Sequence, residues 1–418
     1  MTNNRINRRR FLKEVGSGAA AAIGFPHFVP GPAVGKSGSV AASERIAVGC
    51  IGMGTRGIGN MRDFMGRSQV QLAAVCDVNA NHRNQARNLV NQKYGNKDCA
   101  AYKDFRELAA RDDIDAVCIC TPDHWHIIPA IEAAKSGKDV YCEKPLSLTI
   151  AEARAAVDAV RRYERVFQTG SQQRSSWNFR FACELVRNGY IGDVKTVTVS
   201  VGGPPRPCNL PAQPVPDYID WDFWLGQALW RPFNEALVSR SWAGFRDYSG
   251  GGMTGWGSHH FDIAQWGLGM DNSGPVEIYP PDGKDYKVLT YRYANGVVMT
   301  EDKANAILFT GTKGKVEVNR GYLRTWPEGL KNVKIGPNEI HLYESRDHKE
   351  NFLRCIRTRR RAICDVETGC RSVTVCILGN IAYELKRPLK WDPATERFIN
   401  DEDANRMLSR PKRSPWRL

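Results

Sequence analysis

Residues 46–57 read IAVGCIGMGTRG, and this stretch decides the fold. The apolar run at its start predicts a buried strand, and a helix-forming stretch follows over 58–65. Between them the glycines have the spacing G-x-G-x-x-G. Gly52 permits the tight turn, Gly54 lets a pyrophosphate approach the backbone, and Gly57 allows the helix to pack closely on the strand. Because free amides at a helix start bind phosphate, the stretch predicts a dinucleotide site.

The next apolar run strengthens this prediction and bears on the choice of cofactor. Val70–Cys76 predicts a second strand that ends in Asp77, twenty residues after Gly57. An acid at this position accepts hydrogen bonds from the ribose hydroxyls and repels a 2′-phosphate, which favours NAD. Arg56 and Arg83 lie close enough in sequence to leave NADP open.

Short apolar runs and helix-forming stretches continue to alternate up to residue 170, which predicts a doubly wound parallel sheet. The further predicted strands are Ala116–Cys120, Asp139–Cys142 and Phe167–Gly170, and Thr149 is placed to cap a helix ending at Tyr163. Ligands of such sheets lie beyond the carboxyl ends of the strands. Polar residues at these ends are therefore candidates for the site, namely Thr121, Pro122, His124, His126, Glu143, Lys144, Gln173 and Arg174.

Three motifs resemble the Gfo/Idh/MocA oxidoreductase family: the glycine turn, the Thr121-Pro-Asp-His-x-His126 turn, and Glu143-Lys144-Pro145 after a strand. The Glu-Lys-Pro tripeptide is the most specific of them, and the resemblance covers nearly all of the chain beyond residue 42. It implies an α/β fold, with an N-terminal Rossmann domain and a C-terminal α+β domain that has an open, mostly antiparallel sheet. It also implies a homo-oligomer, a dimer or tetramer, formed through that sheet.

The second half has the patterns that such a sheet requires. Lys195–Val201 alternates polar and apolar residues, as a half-buried strand does. The further predicted strands are 287–293, 296–301, 306–310 and 315–318, and the predicted closing helices are 347–359 and 367–385. The predicted domains are therefore 43–168 for the Rossmann part and 169–418 for the α+β part, with the C-terminal helices packing back.

A predicted helix over 253–266 carries His259 and His260. The resemblance aligns His259 with the family's active-site histidine, and it puts Gly255 where the family usually has Asp. Three hypotheses remain: His259 is the base and another group orients it, the second histidine or a tyrosine handles the proton, or the chain binds without turnover. Adjacent residues on a helix diverge, so a metal site from His259, His260 and Asp262 is not expected.

The resemblance implies hydride transfer between a nicotinamide cofactor, NAD or NADP, and a carbinol carbon of a sugar or polyol. Lys144 would hold the substrate oxygen and His259 would be the base or relay. The implied cofactor contacts are Gly52, Gly54, Thr55, Arg56, Gly57, Asp77, Thr121, Pro122, His124, His126, Glu143 and Lys144. The implied substrate contacts are Lys144, Gln173, Arg174, Trp177, Trp256, His259 and His260, although a structural role is favoured for His260.

The N-terminus contains Asn7-Arg8-Arg9-Arg10-Phe11-Leu12-Lys13, which resembles a twin-arginine export signal. The apolar run after it is too short and too rich in Gly and Pro to remain in a bilayer, so no stable membrane anchor is expected. Residues 1–42 are predicted to be a signal peptide and linker that the twin-arginine export machinery reads. Since that route carries folded proteins, a periplasmic or otherwise exported protein would take its cofactor from the cytosol.

The formal net charge is +14, and removing residues 1–42 with their six Lys or Arg and one acid leaves +9. The basic residues are mostly scattered and accompany no recognition motif, so nucleic acid is not an expected partner. Several of the twelve cysteines lie in apolar runs and there is no CxxC pair, which argues against a disulfide framework or a zinc site.

Three functions follow from these patterns. The first is a sugar or polyol oxidoreductase that keeps its cofactor and regenerates it in place. The second is an NAD-dependent, redox-neutral enzyme that cleaves glycosides by transient oxidation. The third is a nucleotide-loaded carbohydrate-binding protein without turnover, which Gly255 motivates.

Overall fold

A computed structural model of the chain describes residues 40–301 and 306–418. The predicted export signal lies outside these residues, apart from its last three positions. The first half contains β1 (Ile46–Ile51), α1 (Thr55–Met65), β2 (Val70–Cys76), α2 (Ala80–Tyr94), β3 (Ala100–Tyr102), α3 (Phe105–Ala109), β4 (Ala116–Ile119), α4 (Ile127–Lys135), β5 (Asp139–Cys142), α5 (Ile150–Arg162), β6 (Phe167–Thr169) and α6 (Trp177–Arg187).

The first six strands form one parallel sheet in the order β3-β2-β1-β4-β5-β6, as the doubly wound prediction requires. In β1, Ile51 pairs with Cys76 of β2 and with Ile119 of β4. The carboxyl ends of these strands therefore meet at one edge of the sheet. The predicted cap of α5 is also present, since the side chain of Thr149 accepts a hydrogen bond from the amide of Glu152.

The second half builds a larger sheet. Its elements are β7 (Val194–Val199), α7 (Trp221–Leu225), α8 (Glu235–Val238), α9 (Gly251–Leu268), β8 (Glu277–Tyr279), β9 (Thr290–Arg292), β10 (Val298–Glu301), β11 (Ile307–Gly311), β12 (Lys315–Asn319), β13 (Tyr322–Trp326), α10 (His348–Thr358), α11 (Val366–Leu385), β14 (Leu389–Asp392), β15 (Arg397–Phe398) and α12 (Glu402–Arg406).

Nine strands form this sheet in the order β13-β12-β11-β7-β10-β9-β8-β14-β15. The neighbouring pairs are antiparallel except for β7 with β10, which confirms the mostly antiparallel expectation. The sequence predictions missed β3, β8 and the strands after β12. Most of these are only two to four residues long, too short to show an alternating pattern.

Helix α9 lies in the core and carries both histidines. Almost every residue of this helix is buried, which is typical of a helix surrounded by other elements. One apolar cluster joins side chains of both sheets with α9 and α11. At the other end of the chain, α10 packs on the first sheet, where the Phe352 ring lies 5.8 Å from that of Tyr141 and 6.3 Å from that of Phe64.

The cysteines behave as small apolar residues. All twelve are free, and ten of them are buried. Within the ranges that the structure describes, no helix combines the length and the apolar character needed to cross a bilayer.

Candidate active site

A cavity of about 850 Å³ lies at the carboxyl edge of the first sheet. Its lining comes from the turn after β1, from the ends of β2, β4 and β5, and from residues 219–255 of the second half. This is the place where doubly wound sheets bind their ligands. The candidates that line it are Gly52, Gly54, Thr55, Arg56, Asp77, Thr121, Pro122, His126, Glu143 and Lys144.

The glycine turn has the geometry that a dinucleotide needs. Gly52 has a φ of +84°, and a Cβ there would lie 2.6 Å from the Thr121 amide nitrogen. A Cβ on Gly57 would lie 1.8 Å from the Gly52 oxygen, so only glycine allows the helix to approach so closely. Gly54 is the N-cap of α1, has open space beside it, and provides no side-chain cap. The first amides of α1 are therefore available to a phosphate group.

Asp77 supports this turn from the end of β2. Its Oδ2 accepts a hydrogen bond from the Met53 amide at 2.6 Å, and its Oδ1 accepts one from the Asn79 amide at 2.8 Å. A hydrogen bond with Asp77 also raises the pKa of His82. A carboxylate has about four lone-pair sites, so Asp77 retains capacity for ribose hydroxyls.

The buried carboxylate of Glu143 forms an ion pair with Arg56, whose side chain is 52% exposed. The Arg56 Nη2 lies 2.6 Å from the Glu143 Oε1, and the Asn60 Nδ2 donates to the same oxygen at 2.9 Å. Burial alone would raise the pKa of Glu143, but Arg56 and Asn60 hold it below its ordinary value. The sequence analysis missed Asn60, although its position one helical turn after Arg56 was a usable signal.

The two predicted histidines after β4 have different environments. His126 lines the cavity, and its ring nitrogens lie 2.6 Å from the Pro145 oxygen and 3.0 Å from the Thr121 oxygen. It therefore joins the ends of β4 and β5. His124 does not line the cavity, contrary to the prediction. Its Nε2 contacts the Trp224 oxygen at 3.0 Å, and burial lowers its pKa to about 4.

Lys144 and α9 meet at the end of β5. The Lys144 Nζ donates a hydrogen bond to the Gly255 oxygen at 3.0 Å, and both residues line the cavity. His259 lies one helical turn after Gly255, just beyond this lining. It is 7% exposed, and its buried Nδ1 has no partner among the described residues. Burial, followed by the charges of Lys144 and Arg320, holds the pKa of His259 well below its ordinary value.

Trp256 and Arg320 lie beside His259 on the outer side. The Trp256 ring is 42% exposed and lies 5.9 Å from the His259 ring. The Arg320 guanidinium, from the turn between β12 and β13, lies 5.0 Å from the centre of the Trp256 ring. Lys144, Trp256, His259 and Arg320 therefore surround one place next to the cavity. The sequence analysis missed Arg320, because only the pairing of β12 with β13 brings it there.

Other predicted substrate contacts lie elsewhere. His260 is fully buried, and its Nδ1 lies 2.6 Å from the Ser200 oxygen, which agrees with the structural role favoured above. Trp177 is 56% exposed, stacks on Phe181 and does not line the cavity. Gln173 is buried outside the lining, and neither of its amide atoms has a partner in the part of the chain described.

Arg174 also differs from the prediction. It is 2% exposed, and its Nη2 lies 2.8 Å from the Asp262 Oδ1 and 2.7 Å from the Asp271 Oδ1. The Trp266 ring covers the guanidinium at 5.0 Å. Its hydrogen-bonding groups therefore bind Asp262 and Asp271 inside the protein and connect the end of β6 to α9.

The far wall of the cavity comes from the segment between β7 and α9. It includes Trp224, Arg240, Trp242 and Ser249, none of which the sequence analysis assigned. Ser249 donates to the buried Asp123 carboxylate at 2.7 Å, and burial raises the pKa of Asp123. The sequence of this segment contains no motif that singles out individual side chains.

Both halves of the chain match models of known protein families. Residues 46–171 match a family model described as "Oxidoreductase family, NAD-binding Rossmann fold". Residues 205–418 match one described as "Oxidoreductase family, C-terminal alpha/beta domain". The two models cover the glycine turn, α9 and the described strands other than β7, which lies between the matched ranges.

Curated relatives match part of the chain. "Glycosyl hydrolase family 109 protein 1" of Shewanella sp. (strain MR-4) is 33% identical over 207 residues, or 45% of this chain and 44% of that protein. "Alpha-N-acetylgalactosaminidase" of Shewanella oneidensis is 32% identical over 207 residues, with the same coverage of both chains. The similarity therefore spans less than half the length of these relatives.

Solved structures share the fold. A myo-inositol 2-dehydrogenase from Lactobacillus plantarum has a TM-score of 0.58 and 18% identity, covering 83% of this chain and 99% of that one. An aldose-aldose oxidoreductase from Caulobacter crescentus has a TM-score of 0.57 and 20% identity, with the same coverage.

Proposed function

Because this chain belongs to the Gfo/Idh/MocA oxidoreductase family, we propose that it exchanges a hydride between a nicotinamide dinucleotide and a carbinol carbon of a sugar or polyol. The observation that carries this proposal is the position of Lys144. Its Nζ lies at the cavity that the glycine turn lines, and it donates to Gly255, one turn before His259.

The residues at the sheet edge fit a dinucleotide. The first amides of α1, after Gly54, would bind the pyrophosphate, and Asp77 would accept hydrogen bonds from the ribose. Thr121 lines the cavity, and its buried Oγ1 has no partner among the described residues, so it also remains available to a ligand. When bound, the nicotinamide ring accepts or donates the hydride. The carboxylate of Asp77 favours NAD over NADP.

Lys144 and His259 would handle the substrate hydroxyl. An ammonium group has three N–H donors, and Gly255 uses one from Lys144, which leaves two for the substrate oxygen. With its pKa well below the ordinary value, His259 is neutral near pH 7 and accepts a hydrogen bond from the hydroxyl. The proton that leaves the hydroxyl would move to the unpartnered Nδ1, or to bulk water by way of this ring.

The export prediction adds a constraint on turnover. If residues 1–42 direct the folded protein through the twin-arginine route, the cofactor travels with it and is regenerated in place by a second sugar. In a reporter test, residues 1–42 would carry a folded fluorescent protein to the envelope, and replacing Arg8 and Arg9 by lysine would abolish the transport. A reporter that stays in the cytosol contradicts the export proposal and leaves the hydride-transfer proposal standing.

A glycoside-cleaving activity is the second candidate, because the curated relatives carry names of glycosidases. The same hydroxyl would be oxidised transiently to a carbonyl and the aglycone eliminated. Water would then add at the anomeric carbon and the carbonyl would be reduced again. The two candidates differ in a measurable way. Cleavage releases nitrophenol from a nitrophenyl α-N-acetylgalactosaminide without net NADH, whereas an oxidoreductase leaves the glycoside intact.

The main proposal is tested by following the hydride. The protein is purified from its own cell envelope, and the nucleotide that it releases on denaturation is identified by mass spectrometry. Protein loaded with NAD is then mixed with sugars and polyols that carry deuterium on their carbinol carbons. Deuterium on the released nicotinamide ring supports hydride transfer. If NAD is bound and no member of the panel transfers deuterium or loses an aglycone, the chain is a binding protein and the proposal is wrong.

A further inference from the structure

Arg320, on the substrate side of the site, has no acidic partner among the described residues. Its guanidinium lies 5.0 Å from the centre of the Trp256 ring. Among residues 40–301 and 306–418 no carboxylate lies within ion-pair distance of it. Burial and the like charge of Arg56 lower the pKa of Arg320, so its surroundings disfavour the charge instead of compensating it. Arg320 is exposed, so an anion from outside the chain can reach its guanidinium.

The other charges around His259 do not balance it. Lys144 donates to the backbone oxygen of Gly255, which has no formal charge. Arg56 and Glu143 neutralise each other as an ion pair. The acids Asp123 and Glu143 both act on Lys144, whereas no carboxylate among the described residues pairs with Arg320. Arg320 is therefore the cation beside His259 whose charge is not balanced. After burial, the main influences on the pKa of His259 are the basic side chains of Lys144, Arg320, His260 and Arg56, and each lowers it.

The nearest acids of the first sheet edge and of α9 are used elsewhere. Asp123 is buried against Ser249, and Asp262 accepts hydrogen bonds from Arg174 and Ser372. The buried Nδ1 of His259 also has no partner among the described residues, so an available acceptor lies near the cationic groups of Lys144 and Arg320. A neutral sugar would satisfy the acceptor but leave the charge uncompensated.

We propose that the substrate is an acidic sugar, whose carboxylate or sulfate group binds the Arg320 guanidinium while its reacting hydroxyl lies at Lys144 and His259. This inference rests on the function proposed above and names the class of its substrate. A guanidinium presents parallel N–H donors that suit either anion, and Trp256 provides a flat apolar surface for the sugar ring. Once bound, the anion would raise the pKa of His259 toward its ordinary value and make the ring a better base.

The test compares binding of acidic and neutral sugars to protein loaded with NADH. Isothermal titration calorimetry is run with pairs that differ only at C6: glucose and glucuronate, galactose and galacturonate, mannose and mannuronate, and the 6-sulfates of the three hexoses. We expect at least one acid to bind about tenfold or more tightly than its neutral partner, as for a hydrogen bond to a charged group. The uronates and the sulfates separately identify which anion the site accepts.

Arg324 provides the matched control. It is an arginine of the same hairpin, but it contacts a different aromatic ring and is paired with an acidic residue. Its guanidinium lies 4.9 Å from the Tyr322 ring and its Nη1 lies 3.4 Å from the Glu317 Oε1. Arg320→Ala should remove the preference for the acid, and Arg320→Glu should reverse it. Arg324→Ala should leave the preference unchanged.

The outcomes distinguish a failure of the acidic-sugar inference from a failure of the proposed function. If NADH binds and neutral sugars bind as tightly as their acidic partners, the inference is wrong and the proposed function stands. A preference for acids that survives Arg320→Ala also overturns it. If neither NADH nor any sugar binds, the proposed function fails and the inference fails with it.

Discussion

The Lys144 ammonium group lies 3.0 Å from the carbonyl oxygen of Gly255, so the end of β5 is attached directly to the second turn of α9. One residue comes from the predicted nucleotide half and the other from the half that carries His259. The acceptor is a backbone atom, which no side-chain substitution at position 255 removes. The contact therefore orients Lys144 whatever residue follows Thr254.

Removing the Lys144 ammonium should abolish turnover and preserve cofactor binding. In Lys144→Met the stem remains, but the group that holds the substrate oxygen is lost, so we expect kcat to fall by about 10²–10⁴. NADH binding, measured by fluorescence titration, should change little. Lys195→Met, at an exposed position on β7, is the control. Full activity in both Lys144→Met and His259→Ala would show that the site is assigned incorrectly.

Two glycines of α9 should respond in opposite ways to a methyl group. At Gly255 a Cβ would meet nothing within 4 Å, so Gly255→Ala should stabilise the helix by roughly 0.5–1 kcal/mol. At Gly257 a Cβ would lie 2.8 Å from the Cys376 Sγ and 2.8 Å from a ring carbon of Phe261, so Gly257→Ala should destabilise the protein. Urea unfolding at pH 7 measures both changes. Equal shifts in the two variants would contradict this packing of α9 on α11.

The charge of Asp77 should set the choice of dinucleotide. Asp77→Asn removes the negative charge and keeps one oxygen, for the Met53 amide, but the Asn79 amide loses its acceptor, so a modest loss of stability is expected as well. We expect NADH to bind more weakly and NADPH relatively better, because the 2′-phosphate is no longer repelled. Calorimetry with both nucleotides gives the ratio, and Asp98→Asn, at an exposed position after α2, is the control. A ratio that does not change would remove Asp77 from the ribose site.

The sequence predicts the first half well because its signals are local. Residues 46–51 and 70–76 are strands with the predicted bounds, and Thr149 caps the predicted helix. Each of these depends on the pattern of a few neighbouring residues. The position of the cavity follows from the same pattern, since parallel strands bring their carboxyl ends to one edge.

The side chains that the sequence assigned incorrectly depend on partners far along the chain. His124 is buried because Trp224 and Tyr248 cover it, a hundred or more residues later. Arg320 reaches Trp256 only through the pairing of two strands of the second sheet. No local pattern contains such contacts. A polar residue at a strand end therefore has the same sequence pattern whether its side chain faces a ligand or a buried partner.

Buried histidines should make the protein sensitive to mild acid. Burial lowers the pKa of His124, His260 and His348 to about 4, whereas an unfolded histidine titrates near 6.5. Between these values the histidines are protonated in the unfolded chain but not in the folded one. The free energy of unfolding therefore falls as the pH falls from 6.5 to 4, by at most roughly 3 kcal/mol for each ring. Urea unfolding at pH 7 and pH 5 measures the difference.

The control for this pH effect compares how much stability each variant loses between pH 7 and pH 5, and not its stability at a single pH. His348→Asn removes one of the buried rings, so the loss of stability between pH 7 and pH 5 should become smaller. His341→Asn, at an exposed position, should leave that loss unchanged. If His348→Asn retains the full loss, that histidine is not the source of the acid sensitivity.

The Arg174 ion pairs decide between a structural and a substrate role for this residue. Arg174→Ala leaves Asp262 buried without its partner, so we expect unfolding to be easier by about 3–5 kcal/mol. Arg174→Met with Asp262→Leu removes the two buried charges and leaves only the partly exposed Asp271 unpaired, so it should recover part of this loss. Urea unfolding measures all three proteins. If Arg174→Ala instead unfolds like the wild type and only raises the KM for a sugar, the residue contacts substrate as the sequence predicted, and the buried geometry described here is wrong.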